Sequence, residues 1–172
     1  MAQRADCSTV VHMAGSQQHG AFPGDNTDET ELLLGWLDFL RGAVVRKLEG
    51  VTDTDARSRA QGRLIPLLGV VNHLTHVEWR WIDGGFLGDE VSRSEEEFFP
   101  GPELAVEKAL EDYRERAAAT NATVRSLPLD MPCLRKQATT LRWVLLHLIN
   151  ETARHAGHAD SVRELLDGTT GE

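Results

Sequence analysis

Towards its end the chain reads LRWVLLHLINETARHAGHADSVRELL, in which Glu151 and His155 stand at i and i+4. On a helix such side chains project side by side, so a carboxylate oxygen and an imidazole nitrogen can share one divalent cation. At 100° per residue, Val144, Leu148 and Val162 define the buried direction of this helix, and Glu151 and His155 fall within about 20° of it. An isolated carboxylate in a core is costly, so it is paired, protonated or placed on a metal. His147 and His158 flank the same face, within roughly 60° of its centre.

The stretch VVNHLTHVEWRW offers a partner set. His73 lies on the edge of the Val70/Val77 side, at the rim or turned inward, while His76 points about 120° from Val70 and reads as a surface residue. A ligand from a facing helix would complete a three-ligand site with positions open to water or substrate, as catalytic metals require. The mixed nitrogen and oxygen set suits zinc, nickel, iron or manganese and does not choose among them. A buried Glu–His or Glu–Arg network using Arg154 or Arg142 explains the same spacing without a metal, so spacing leaves both open.

The elements that must position these groups are helices. Leu33, Leu37, Leu40, Val44 and Leu48 keep a helical period. They predict a helix over Asp28 to Glu49, entered through a capping box of Asn26 and Glu29 and closed by Gly50. A second helix begins near Pro66, with a Val70, Leu74, Val77, Trp81 stripe, and ends at Gly84-Gly85. A third runs from Pro102 until Pro128 and Pro132 stop it, and a fourth from about Thr140 to Leu166. The stretch GDEVSRSEEEFFPG between the second and third reads as a loop whose three glutamates form a solvated surface, with a metal role as the minor alternative. Strand-like alternation is absent, and four helices each with an apolar stripe make an all-α four-helix bundle.

Composition bounds the partners. The 172 residues carry 18 Lys+Arg against 27 Asp+Glu, a formal net charge of -9. That balance disfavours nucleic acid and anionic lipid, which require concentrated basic faces. No apolar run approaches a membrane span, and the first residues lack the apolar length of a signal peptide. Residues 1–25 read as an extension bearing His12 and His19, 26–168 as one domain, and 169–172 as a tail. Cys7 and Cys133 do not make a disulfide framework, which points to a reducing, cytoplasmic setting, and Cys133 reads as an incidental thiol. Trp36, Trp79, Trp81 and Trp143 read as core or core-margin residues, with Trp79 a candidate for a pocket mouth.

LLGVVNHLTHVEWRW together with LRWVLLHLINETARHAGHADSVRELLDG resembles the DinB superfamily of bacterial metal-binding four-helix proteins, in the actinobacterial branch related to mycothiol-dependent maleylpyruvate isomerase. The likeness runs from about Asp28 to Gly168. It implies an up-down-down-up order in which the second connection, about Gly88 to Gly101, crosses over. It also implies a metal held by one histidine of the second helix and a pair on the fourth, here His73, Glu151 and His155. Many members carry His-x-x-x-His, whereas this chain has the Glu-x-x-x-His version. The family is often dimeric, which implies a homodimer.

The expected function is that of a metal-dependent enzyme, the metal activating a thiol or water, that uses a low-molecular-weight thiol, mycothiol above all, in transfer to an electrophile or thiol-assisted isomerisation of a small molecule. His158 or His147 would shuttle protons, and Arg142 or Arg154 would hold a substrate carboxylate. Two alternatives stand beside it. A closed site without a pocket would mark a metal-binding or sensing protein, and a site without metal an interaction module in which Glu151 and His155 simply pair.

Overall fold

The computed structural model describes residues 23–59, 64–136 and 138–170. Most of the predicted extension, with Cys7, His12 and His19, lies outside them, as do the last two residues of the tail. Among the described residues the secondary structure is helical apart from an isolated bridge between Pro132 and Thr140.

Helix α1 spans Glu29–Leu48. Its cap is Asp28, whose carboxylate accepts the Glu31 N–H at 3.1 Å, rather than the expected Asn26. Asn26 sits outside the helix and accepts the Asp28 N–H instead. Gly50, at φ +74°, turns the chain away as predicted. The polar stretch after it contains a short helix α2, Asp53–Ala56.

Helix α3 spans Leu67–Ile82 with Pro66 at its N-cap. Gly84-Gly85 does not end it. The chain continues through a single π-turn, Asp83–Leu87, and leaves at Gly88 with φ +84°. A Cβ on Gly84 would lie 2.6 Å from a Val91 methyl, so the glycine here serves close approach of the following loop.

Helix α4 spans Val106–Arg125, later than the Pro102 start expected from sequence. Its N-terminus has no local side-chain cap, and the Val106 N–H donates to Asp53 Oδ1 of α2 at 2.7 Å. Helix α5 spans Leu141–Asp167, capped by Thr140 and closed by Gly168 at φ +77°. Helices α1, α3, α4 and α5 form the bundle; α1 packs chiefly on α5 and α3 on α4.

The core divides by helix ends. Leu34 and Leu37 early in α1 share one cluster with Val77 and Ile82 late in α3, Val124 late in α4, and Leu141 and Val144 early in α5. The opposite ends share the other, around Leu48, Leu67, Val106 and Val162. So α1 and α5 run in one sense, α3 and α4 in the other, and residues 88–105 carry the chain back along the bundle. Arg41 is a polar exception inside α1, 4% exposed. Its guanidinium forks onto both Glu78 carboxylate oxygens, at 2.8 and 2.5 Å, and reaches Asp38 and Asn121.

The 88–105 segment meets α3 at Gly69. A Cβ there would overlap the Phe98 carbonyl oxygen, so only glycine lets the segment press against the helix at this point.

Candidate metal centre and its cavities

The inward face of α5 brings Glu151 and His155 opposite His73 of α3. The open question about His73 is resolved inward, since it is 3% exposed. Glu151 Oε1 stands 3.4 Å from both His73 Nε2 and His155 Nε2. One potential ligand atom from each of the three residues lies within 4.8 Å of the others. Two imidazole nitrogens and a carboxylate oxygen, converging within such a span, fit a divalent cation.

The outer shell supports the same fit. His73 Nδ1 faces Glu97 Oε2 at 3.3 Å, and metal-binding imidazoles usually give their other N–H to a carboxylate. Glu97 comes from the loop expected to be a solvated acidic surface. Glu95 and Glu96 are exposed, but Glu97 is 4% exposed. A 3₁₀ turn, Glu95–Glu97, directs it inward through a capping box with Ser94. Asn72 Nδ2 holds the Glu97 carbonyl at 3.0 Å, and Arg80 Nη1 pairs with Glu97 Oε1. Phe98 stacks on the His73 ring with centroids 4.3 Å apart.

The electrostatics keep the donors in ligand form. Burial lowers the pKa of His73 and of His155, where the nearby His73 acts in the same direction. Burial pushes the Glu151 carboxyl upward, but the His73 hydrogen bond and the surrounding histidine charges outweigh it and leave it below the ordinary value. Glu97 behaves alike, with Arg80 supplying most of the counterweight to burial.

The centre lies between two cavities. The first, of about 480 Å³, reaches it through His73 and Glu151 and is walled by Trp81, Arg93, Lys136 and His147, among others. The second, of about 550 Å³, borders His155, Arg154, His158 and Ser161. The two expected proton shuttles therefore sit on different sides. His147 stacks on Trp143 and is held below its usual pKa by burial, with Lys136 adding to the effect. His158 has a buried Nε2 with no hydrogen-bond partner among the described residues.

Some expectations are not met. Arg142 is not brought to the centre; its side chain pairs with Glu29 at the surface, at 2.7 Å, because it opens α5 beside the start of α1. Trp81 is more than core filling: it borders the first cavity and meets both Trp143 and His147. Trp143 is exposed, and Trp79 borders other clefts beside His76. Cys133 is remote in sequence but lines the first cavity as a buried free thiol. Arg80 and Lys136 carry no signal in the sequence, and the run of three glutamates does not single out Glu97 from Glu95 and Glu96. Only the Ser94-x-x-Glu97 spacing, a capping-box signature within the loop, marked any of them.

A family model described as mycothiol-S-transferase matches residues 32–168. Among solved structures, the crystal structure of a conserved protein from Enterococcus faecalis aligns with a TM-score of 0.55 at 15% identity. The alignment covers 84% of this chain and 100% of that one, and it shows the shared fold. No curated protein matches the chain.

Proposed function

The chain belongs to the mycothiol-S-transferase family, and from that premise we propose that it is a divalent-metal-dependent enzyme joining the sulfur of mycothiol, or a closely similar thiol, to a small electrophile. The observation that carries this reading is a three-residue donor set, His73, Glu151 and His155, with a cavity opening directly onto it. A metal that is only stored or sensed needs no such access. A metal-free interaction module leaves the Glu97–His73 orientation without a purpose.

The residues have separable roles. His73, Glu151 and His155 would hold the cation, and Glu97, gripped by Arg80, would keep the His73 proton on Nδ1 so that Nε2 offers its lone pair. A divalent cation bound there supplies the Lewis acidity that makes a thiol a thiolate near neutral pH. His147, neutral because of its burial, is placed in the first cavity to accept the thiol proton. In the transfer the sulfur pair forms the new C–S bond, and the electrophile's leaving group departs with its bonding pair or, in an addition, its π pair takes up the proton. His158 and Arg154 face the second cavity, where they would meet the other end of a bound reactant. The same groups serve a thiol-assisted isomerisation, in which the sulfur adds and later leaves.

We take zinc or nickel as the resident ion, with iron and manganese as alternatives, since the donor types themselves do not choose among the four. We place the protein in the cytoplasm as a homodimer, following the chain's composition and its family. No helix among the described residues is long and apolar enough to cross a membrane.

The test is elemental analysis of purified protein joined to a transfer assay with mycothiol and a chromogenic aryl halide. The reading expects near-stoichiometric metal and turnover, both lost in Glu151→Ala and His155→Ala. Full metal occupancy with no transfer to any electrophile would leave a metal-binding protein, and metal-free protein that stays fully active would end the proposal.

A further inference from the structure

The first cavity is charged against the character of the chain. In a protein of net charge -9, its wall holds four basic side chains, Arg80, Arg93, Arg135 and Lys136, against a single carboxylate, Glu151. Two of the four are committed. Arg80 is paired with Glu97, and Arg135 donates to the carbonyls of Gly84 and Asp89. Lys136 and Arg93 have no carboxylate within 4.0 Å among the described residues. Lys136 is instead held over two indole faces, with its Nζ 5.3 Å from the ring centroids of both Trp81 and Trp143. An ammonium held over an aromatic platform, with no carboxylate partner among the described residues and with a second unpaired guanidinium on the same cavity wall, is a site prepared for an anion.

The thiol does not account for this charge. Mycothiol is an N-acetylcysteine joined by an amide to a sugar–inositol unit, and it has no carboxylate. We propose that Lys136 and Arg93 form an anion subsite in the first cavity that binds a carboxylate on the electrophilic reactant and orients that reactant towards Glu151 and His73. The assignment of this anion to the electrophile rests on the thiol-transfer reading; the subsite itself does not. Arg93 borders both cavities, so of this pair Lys136 is the cation confined to the first. The thiol conjugate, rich in hydroxyls, is then left to the second cavity, where Ser161, Arg154 and the unpartnered His158 Nε2 offer hydrogen bonds.

The experiment measures binding of succinate and of its neutral analogue succinamide to the purified metal-containing protein by calorimetry, at constant ionic strength. Succinate is expected to bind and succinamide not. Lys136→Met and Arg93→Met should each weaken succinate by about tenfold with metal content unchanged. Both positions are exposed, and a circular-dichroism melt checks that the variants fold. Equal binding of the two probes would overturn the subsite. So would succinate binding that survives both variants and vanishes in Glu151→Ala, because the carboxylate would then sit on the donor set. In the transfer assay, Lys136→Met should raise KM for an electrophile bearing a carboxylate more than for its methyl ester. Succinate binding that depends on Lys136, found in a protein that transfers no thiol, would uphold the subsite and remove only the thiol-transfer reading.

Discussion

His73 turns its Nδ1 towards the Glu97 carboxylate at 3.3 Å, so the imidazole that faces Glu151 is aimed by a residue 24 positions further along the chain. The two residues belong to different elements, α3 and the connection after it. The orientation of the His73 ring therefore depends on that connection as well as on α3.

The first prediction concerns this pair. Glu97→Ala should reduce metal affinity by about 10- to 100-fold, while Glu95→Ala and Glu96→Ala leave it unchanged. Competition against a chromogenic chelator measures it. An effect of equal size at all three glutamates would show that general negative charge, and not orientation of His73, is responsible.

Gly69 makes the contact between α3 and Phe98 possible. In Gly69→Ala the new methyl must displace the Phe98 carbonyl, since the two would occupy the same space. Overpacking of this kind costs roughly 1–3 kcal/mol, and here it should move Glu97 and Phe98 away from His73. A lowered melting temperature together with weakened metal binding is expected. Gly157→Ala is the control, because its Cβ would meet nothing within 4 Å.

Arg41 and Glu78 test the core below the site. Arg41→Met leaves the Glu78 carboxylate buried without its partner and should destabilise by about 3–5 kcal/mol. Replacing both, Arg41→Met with Glu78→Leu, should restore much of that loss, since two apolar side chains leave no charge stranded. Denaturant melts of the single and double variants decide the matter.

A fourth prediction comes from protonation. Burial, with His73 itself contributing at His155, holds both imidazoles below their ordinary 6.5, and Glu151 lies below its ordinary 4.5. All three are thus in the metal-binding form at neutral pH, and affinity should hold nearly level down to pH 6.5 and fall below it as protons compete. In metal-free protein the same depressed values mean that the unfolded chain takes up protons first. Stability is then lost as pH falls from 6.5 towards the lower folded-state values, and is fully present above 6.5. Metal titrations and thermal melts across this range check both statements.

Periodicity in the sequence was enough to find Glu151 and His155, because a charged pair on the Val144/Leu148/Val162 face contradicts the pattern around it. The long helices were legible for the same reason. His73 was ambiguous by angle alone, and its inward turn depends on Phe98 and Glu97 arriving from the next segment. Glu97 was hidden because it stands among exposed acids of identical type, and the capping box with Ser94, the Arg80 pairing and the packing of Phe98 on Gly69 together separate it from them. The late start of α4 was hidden likewise, since its cap is Asp53, far back in the chain. Arg142 misled because its angle on the helix says nothing of Glu29, a neighbour contributed by α1.

The bond between Asp53 and Val106 has one more consequence. Arg57, just after the same short turn, donates to the carbonyls of Pro100 and Leu104, so the far end of the strap beside His73 is moored by three bonds to residues 53–57. Amide exchange in residues 53–57 and 95–106 should then proceed as one cooperative opening, and a ligand that clamps His73 should slow breathing in a stretch of backbone it never touches.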